Sequence, residues 1–139
     1  MFRNVLVPSD LTDRTGLALE TAANITATDR ARITVLHVVE TIPGAEFDEL
    51  SSFYHKLHRQ ASARLHDLVS RTLGNREEVG IEILFGKRVA EVLRFVREND
   101  VDLVVLASHL PDRSQPHGAL GTMSYQLGIL APCAVLLIK

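Results

Sequence analysis

The chain has 139 residues, of which 46% are hydrophobic and 23% are charged, and its formal net charge is −2. This composition indicates one globular domain over residues 1–139, and it excludes a disordered chain or a strongly basic nucleic-acid-binding chain. The single cysteine, Cys133, excludes an internal disulfide. No segment has the length of a membrane span or the pattern of a signal peptide, so we expect a cytoplasmic protein.

Short apolar segments alternate with segments of helical spacing along the chain. The segments typical of buried strands are residues 4–8, 32–39, 79–86, 101–107 and 133–138. Alternation of this kind predicts a parallel sheet with helices on both faces, which is a three-layer α/β/α architecture.

Four helical segments lie between these strands. The first carries apolar and small residues at helical spacing, and Thr12 or Asp13 can cap its start. The others cover residues 46–73, residues 88–100, and the segment from residue 121 to the break at Pro132. The positions expected to form the buried stripe of the first helix are Leu17, Thr21, Ala22 and Ile25.

The residues that follow each strand are the candidates for a site, because ligands of open parallel sheets bind outside the carboxyl ends of the strands. Pro8, Ser9 and Asp10 come at the end of the first predicted strand. The Asp10 carboxylate can accept hydrogen bonds from sugar hydroxyls or coordinate a metal. It can equally cap the helix that follows, since aspartate is favoured there.

The loop after the fourth predicted strand reads ASHLPDRSQPHGALGT over residues 107–122. Gly121 and Thr122 open the last helix, whose free N–H groups and positive dipole end suit an anion. A plain helix start is the alternative for this pair. His109 can contact a phosphate or remain in solvent, and Arg113 can supply charge to a phosphate.

Other chemistries have less support in the sequence. The three histidines of the long helix, His55, His58 and His66, have no neighbouring cluster of cysteines or carboxylates, so we expect solvated side chains and no metal site. Cys133 is expected to be a small buried hydrophobe. Walker, dinucleotide-binding and serine-hydrolase motifs are missing from the sequence.

The last predicted strand, residues 133–138, is apolar on both faces. A terminal strand often lies at the edge of a sheet, and an exposed apolar edge invites pairing with another chain. We therefore expect a homodimer through Cys133 to Ile138. An interior strand or a covered edge is the alternative.

Four stretches together resemble the universal stress protein family: VLVPSD, ITVLHVVE, DLVVLASH and the closing GTMSYQLGILAPCAVLLIK. The resemblance runs through essentially the whole chain. It implies a Rossmann-like fold of the adenine nucleotide alpha hydrolase-like type, with five parallel strands in the order 3-2-1-4-5.

Many members of this family bind ATP with a Gly-x-x-Gly motif, nine further residues, and Gly followed by Ser or Thr. The matching positions here are Ala107, Leu110, Gly121 and Thr122, and the gap has ten residues. Two of the three glycines are therefore replaced, and the loop is one residue longer. SHLP at residues 108–111 is similar to a Ser-His-x-Pro variant of the family. At the two positions where glycine is replaced, we expect the backbone to approach a phosphate less closely.

The resemblance implies an adenine nucleotide, ATP or AMP with Mg²⁺, as the ligand. Asp10 would contact the nucleotide, and Val38 would offer backbone groups to the adenine. The start of the last helix would hold phosphates. The predicted nucleotide-binding residues are Pro8, Ser9, Asp10, Val38, Ala107, Ser108, His109, Gly121, Thr122 and Met123.

Two functions stay open from the sequence. One is a stress-response module that binds a nucleotide. The other is a nucleotide-free homodimer of the same fold that acts through protein contacts, which the altered loop favours. A nucleotide hydrolase is a third reading, but the only general bases beside the phosphates would be Asp10 and His109, so weak ATP hydrolysis at most is expected.

Overall fold

A sheet of five parallel strands forms the centre of the protein. The computed structural model describes residues 1–74, 79–108 and 122–139. The strands are β1 (Asn4–Pro8), β2 (Arg32–Glu40), β3 (Val79–Gly86), β4 (Leu103–Ala107) and β5 (Ala134–Ile138). They lie side by side in the order β3-β2-β1-β4-β5, and every pairing is parallel. The predicted strand order is confirmed.

Helices cover both faces of this sheet, as predicted. Helices α1 (Asp13–Ile25) and α2 (Ser51–Leu73) pack on one face, and α3 (Arg88–Glu98) and α4 (Met123–Leu130) pack on the other. Among the described residues, none of the helices has both the length and the apolar character needed to cross a bilayer.

Several predicted boundaries were wrong by a few residues. The long helix begins at Ser51 and not at residue 46, because the preceding residues close a tighter turn over Asp48–Leu50 with hydrogen bonds between residues three apart. The fourth strand begins at Leu103 and not at residue 101, because the Val101 N–H bonds to the Val96 carbonyl at the end of α3. The last strand begins one residue after Cys133.

Alternate residues of β1 enter two separate cores. Val5 and Val7 pack on the side of α1 and α2, with Leu19 among their neighbours. Leu6 packs on the side of α3 and α4, in a cluster that includes Leu127. All five side chains are essentially inaccessible to solvent. Strand β1 is apolar without alternation because both faces of the sheet are covered there.

The buried face of α1 differs from the predicted stripe. Ala22 is buried as expected, but Leu17 and Ile25 are exposed, and Ala18 and Leu19 are buried in their place. Small residues line this face because the helix packs close to α2. A Cβ atom on Gly16 would lie 3.2 Å from the Thr72 hydroxyl. Helix α2 buries Tyr54, Ala61, Leu65 and Leu68, which recur at helical spacing along one face.

The end of β3 sets where α3 begins. Gly86 has a φ of 146°, a conformation that residues with a side chain rarely adopt, and a Cβ atom there would lie 2.8 Å from Cγ of Glu91. The chain therefore leaves the sheet at a glycine, and Arg88 becomes the first residue of α3. Arg88 thus lies at the carboxyl end of the sheet.

Strand β5 lies at an edge of the sheet and pairs with β4. Its side chains Leu136 and Leu137 are 37% and 38% exposed, and Ile129, near the end of α4, is 63% exposed. The interior position that the sequence left open for this strand is therefore ruled out. An apolar strand edge faces outward beside an apolar helix end.

Candidate functional site

A crevice runs along the carboxyl ends of β1, β2 and β4 and contains two cavities. The smaller has a volume of about 190 Å³ and lies between the starts of α1, α3 and α4. Five predicted site residues line it: Pro8, Asp10, Ala107, Thr122 and Met123. Residues from the first and the last thirds of the sequence therefore meet at one cavity, at the place that the rule for open parallel sheets indicates.

The larger cavity, of about 760 Å³, lies between the end of β2 and helix α2. Val38 lines it, together with His37, Glu40 and residues of α2 such as Leu57. Arg88 lines both cavities. The two spaces are therefore neighbouring parts of one crevice, with Arg88 where they adjoin.

The turn between β1 and α1 is held by a set of short-range hydrogen bonds. Oδ1 of Asp10 accepts bonds from the Thr12 N–H at 2.9 Å, the Thr12 hydroxyl at 2.6 Å and the Thr15 hydroxyl at 3.0 Å. The Ser9 hydroxyl accepts a bond from the Leu11 N–H at 3.0 Å. Leu11 has a φ of 64°, so these bonds hold a backbone conformation that leucine disfavours.

These bonds decide part of the question that the sequence left open about Asp10. Thr12 occupies the position before α1, but its side chain makes no capping bond, and Asp13 is already inside the helix. Asp10 bridges the residues on either side of the helix start, so it does act on the start of α1. It also lines the smaller cavity, which keeps a ligand contact open to the same side chain.

The start of α4 supplies hydroxyl groups to the smaller cavity. The Thr122 hydroxyl oxygen accepts a bond from the Tyr125 N–H at 3.3 Å and lies 3.3 Å from the Ser124 hydroxyl. Ser124 is buried and lines the cavity, although it was not among the predicted site residues. The predicted partners His109 and Gly121 lie outside the described residues.

Two predicted site residues make their contacts within the sheet. The N–H of Ser9 donates to the Leu36 carbonyl at 2.8 Å, and the residue is buried. The N–H and hydroxyl of Ser108 both donate to the Ile138 carbonyl, at 2.8 and 3.3 Å. Ser108 thus joins β4 to the end of β5. Its role with a nucleotide stays a prediction.

Two arginines that were not among the predicted site residues line the smaller cavity. Arg14 comes from the first turn of α1, and Arg88 from the first residue of α3. Nε and Nη2 of Arg14 and Nε of Arg88 are buried and have no hydrogen-bond partner in the described part of the chain. Nη2 of Arg88 lies 3.9 Å from a carboxylate oxygen of Glu40, a distant and partly exposed pair.

His37 connects the turn after β1 with the larger cavity. Its Nδ1 lies 3.2 Å from the Ser9 carbonyl oxygen. A carbonyl oxygen only accepts, so Nδ1 carries the proton in this contact. Burial lowers the pKa of His37, Arg88 and Arg64 lower it further by charge, and the Ser9 carbonyl and the Asp10 carboxylate oppose them.

Within the described residues, no group of three or more histidine, cysteine, aspartate or glutamate side chains is arranged to hold a metal ion. On α2, His58 stacks on Phe85 with ring centroids 5.9 Å apart, and His66 contacts the Ser62 carbonyl at 2.8 Å. Cys133 is partly buried, and burial raises the pKa of its thiol.

The fold and the crevice define a Rossmann-like α/β protein. A model of the universal stress protein family matches residues 1–139, and the chain belongs to that family. A comparison with curated proteins gave no match.

Three solved structures of similar proteins cover nearly the whole chain. The universal stress protein UspA from Lactobacillus plantarum is 25% identical, with a TM-score of 0.72 over 99% of this chain and 98% of that one. A universal stress protein from Archaeoglobus fulgidus in complex with dAMP is 17% identical, with a TM-score of 0.71 over 100% and 98% of the two chains. A universal stress protein in complex with cAMP is 17% identical, with a TM-score of 0.68 over 99% and 97%.

Proposed function

We propose that this protein is a stress-response module that binds an adenine nucleotide in the crevice. The nucleoside occupies the larger cavity beside Val38, and the phosphate groups occupy the smaller one. The observation that carries the proposal is the meeting of Asp10 with Thr122 and Met123 at a cavity that adjoins a second, larger one.

The sizes and chemistry of the two cavities support this division. Apolar residues of the larger cavity, Val38, Val39 and Leu57, suit a flat base, and strand β2 ends at this cavity. The smaller cavity carries hydroxyl and guanidinium donors, which suit phosphate. Two proteins of the same fold hold dAMP and cAMP, which makes an adenine nucleotide the first class to test.

Isothermal titration calorimetry with ATP, ADP, AMP and GTP, each with and without Mg²⁺, tests the proposal. We expect saturable binding of the adenine nucleotides, weaker binding of GTP, and a loss of affinity in Asp10→Asn. The control is Asp13→Asn, because the Asp13 side chain is 95% exposed and lies only three residues further on. Absence of binding at millimolar ATP would refute the proposal. Release of phosphate that depends on Asp10 would add a hydrolase activity.

A second candidate function is supported by a different observation, the apolar edge at β5. We propose a homodimer that forms through this strand and acts through protein contacts, with or without nucleotide. Leu136, Leu137 and Ile129 expose apolar area at and near β5, the edge strand of the described sheet, and two-fold pairing of β5 with its copy buries this area. The proposed cytoplasmic location fits a chain with a single cysteine.

Light scattering after size-exclusion chromatography tests the dimer. We expect twice the 15.4 kDa chain mass for the unaltered protein and the single mass for Leu136→Lys. Leu17→Lys is the matched control, since Leu17 is another exposed leucine, on the surface of α1. A monomer at all concentrations would exclude the dimer and leave nucleotide binding untouched.

A further inference from the structure

We propose that Arg14 and Arg88 form a two-arginine anion clamp in the smaller cavity, and that this clamp sets how strongly the site prefers nucleotides with more phosphate groups. The inference rests on the proposed nucleotide-binding function and deepens it. It identifies the side chains that contact the phosphates, and it identifies a polyphosphate as the preferred class of ligand.

The two arginines of the proposed clamp come from different helices and converge on one cavity. Arg14 belongs to α1 and Arg88 to α3, and these helices pack on opposite faces of the sheet. Both side chains nevertheless line the same cavity at the carboxyl end of β1. An anion in that cavity is therefore approached by a guanidinium group from each side, and guanidinium groups bind phosphate oxygens through paired N–H donors.

Some guanidinium donors of the two arginines are buried and lack a hydrogen-bond acceptor within the described residues. Buried donors of an arginine side chain lower stability unless an acceptor satisfies them. Three such nitrogens, two on Arg14 and one on Arg88, have no partner within the described residues. Other arginines of the protein are better satisfied. Arg64 donates to the Leu11 carbonyl at 2.9 Å, and Arg71 donates to Asp67 at 2.8 Å.

Both arginines lie at the start of a helix, which is an unfavourable position for a cation. Arg14 lies in the first turn of α1 and Arg88 in the first turn of α3. Backbone dipoles make the start of a helix positive, so a cation is disfavoured there and an anion is favoured. Two arginines and two helix starts thus add positive potential to one cavity, against the carboxylate of Asp10 that lines it and those of Asp13 and Glu91 in the same first turns. The Thr15 and Ser124 hydroxyls add uncharged donors to its lining.

The consequence is a dependence of affinity on ligand charge. Asp10 is the only acidic side chain among the described residues that line this cavity, and its Oδ1 already accepts bonds from Thr12 and Thr15. Each phosphate group added to a nucleotide brings further negative charge to the two guanidinium groups. Affinity is therefore expected to rise from adenosine through AMP and ADP to ATP, and to fall as salt increases.

Calorimetric titration of adenosine, AMP, ADP, ATP and inorganic tripolyphosphate tests the clamp, with the unaltered protein, Arg14→Gln, Arg88→Gln and the double variant. The control is Arg94→Gln, which removes the same charge from an exposed arginine of α3 that pairs with Glu91 and Glu98. We expect each single variant to weaken ATP binding about tenfold or more, and Arg94→Gln to leave it unchanged. Adenosine affinity should be the same in all five proteins.

The outcomes separate the clamp from the function on which it rests. Nucleotide binding that does not depend on Arg14 or Arg88 overturns the clamp and keeps the proposed function. Arginine-dependent binding of tripolyphosphate without binding of any nucleotide keeps the clamp and overturns the function. Binding of none of the five ligands overturns both. A parallel loss of adenosine and ATP affinity, with a lower melting temperature, also overturns the clamp, because it assigns the arginines a structural role.

Discussion

The polar groups on the two sides of the smaller cavity differ in how far the chain itself satisfies their hydrogen bonds. In the turn after β1, Asp10 accepts three hydrogen bonds from Thr12 and Thr15, all within five residues. Arg14 and Arg88 also line the cavity, but three of their buried guanidinium nitrogens have no partner in the part of the chain that the structure describes. The turn stabilises the fold by itself, whereas the arginines are suited to a group that comes from outside the chain.

This contrast separates a positioning role from a binding role. Side chains that bond within the fold contribute to stability whether or not a ligand is present. Side chains kept for a ligand commonly lower the stability of the protein alone, since sites of function trade stability for activity. Stability and affinity measured on the same variants therefore distinguish the two sides of the cavity.

The largest effect on stability is expected from Asp10→Ala. The substitution removes the acceptor of three hydrogen bonds at the start of α1, and we expect the free energy of unfolding to fall by about 1–3 kcal/mol. Urea unfolding followed by circular dichroism measures the change. Asp13→Ala is the control, because that side chain is 95% exposed. Equal losses in the two variants would show that the turn depends little on the Asp10 carboxylate.

A smaller change of opposite sign is expected from Arg14→Met. Methionine retains a long apolar stem and removes two buried donors without partners, so we expect the free energy of unfolding to stay level or rise by up to about 1 kcal/mol. Arg71→Met is the comparison, because it breaks an exposed pair with Asp67 and should lower stability by a few tenths of a kcal/mol. A clear loss of stability in Arg14→Met would assign Arg14 to the fold.

The sheet could be predicted from the sequence because its central strands β1 and β4 are apolar on both faces and the strands are separated by helical segments of ordinary length. The buried face of α1 could not be predicted from the sequence. Its buried residues include Gly16, Ala18 and Ala22, small residues with a weak hydropathy signal, and Gly16 lies against Thr72 of α2. The larger Leu17 has a stronger apolar signal, yet it is exposed.

The candidate site was predictable at the strand ends and not on the helices. Asp10 follows directly from the rule that ligands lie beyond the carboxyl ends of strands, and Val38 was implied by the family resemblance. Arg14 and Arg88 are far apart in sequence, and only the strand order brings their helices to one cavity. One sequence signal could have found them: a basic residue in the first turn of a helix works against the helix dipole, so its presence needs another reason.

The smallest expected effect on stability concerns His37. Its ring contacts the Ser9 carbonyl in the turn after β1, and its pKa also depends on the charge of Arg88. Burial and the charges of Arg88 and Arg64 lower its pKa below the ordinary value of 6.5. The unfolded chain therefore binds a proton more readily than the folded protein, and this residue's contribution to stability is lost as pH falls through 6.5 and below. His37→Gln should consequently lose less stability than the unaltered protein between neutral and acidic pH.

The ring can also be titrated directly by NMR. We expect the His37 midpoint below 6.5 in the unaltered protein, a higher midpoint in Arg88→Gln because one repelling cation is gone, and no change in Arg94→Gln. An equal His37 midpoint in Arg88→Gln and in the unaltered protein would place the Arg88 guanidinium group too far from the crevice to act on groups on either side of it. The same observation would weaken the argument that Arg88 contacts a phosphate, since His37 and Arg88 line the same larger cavity.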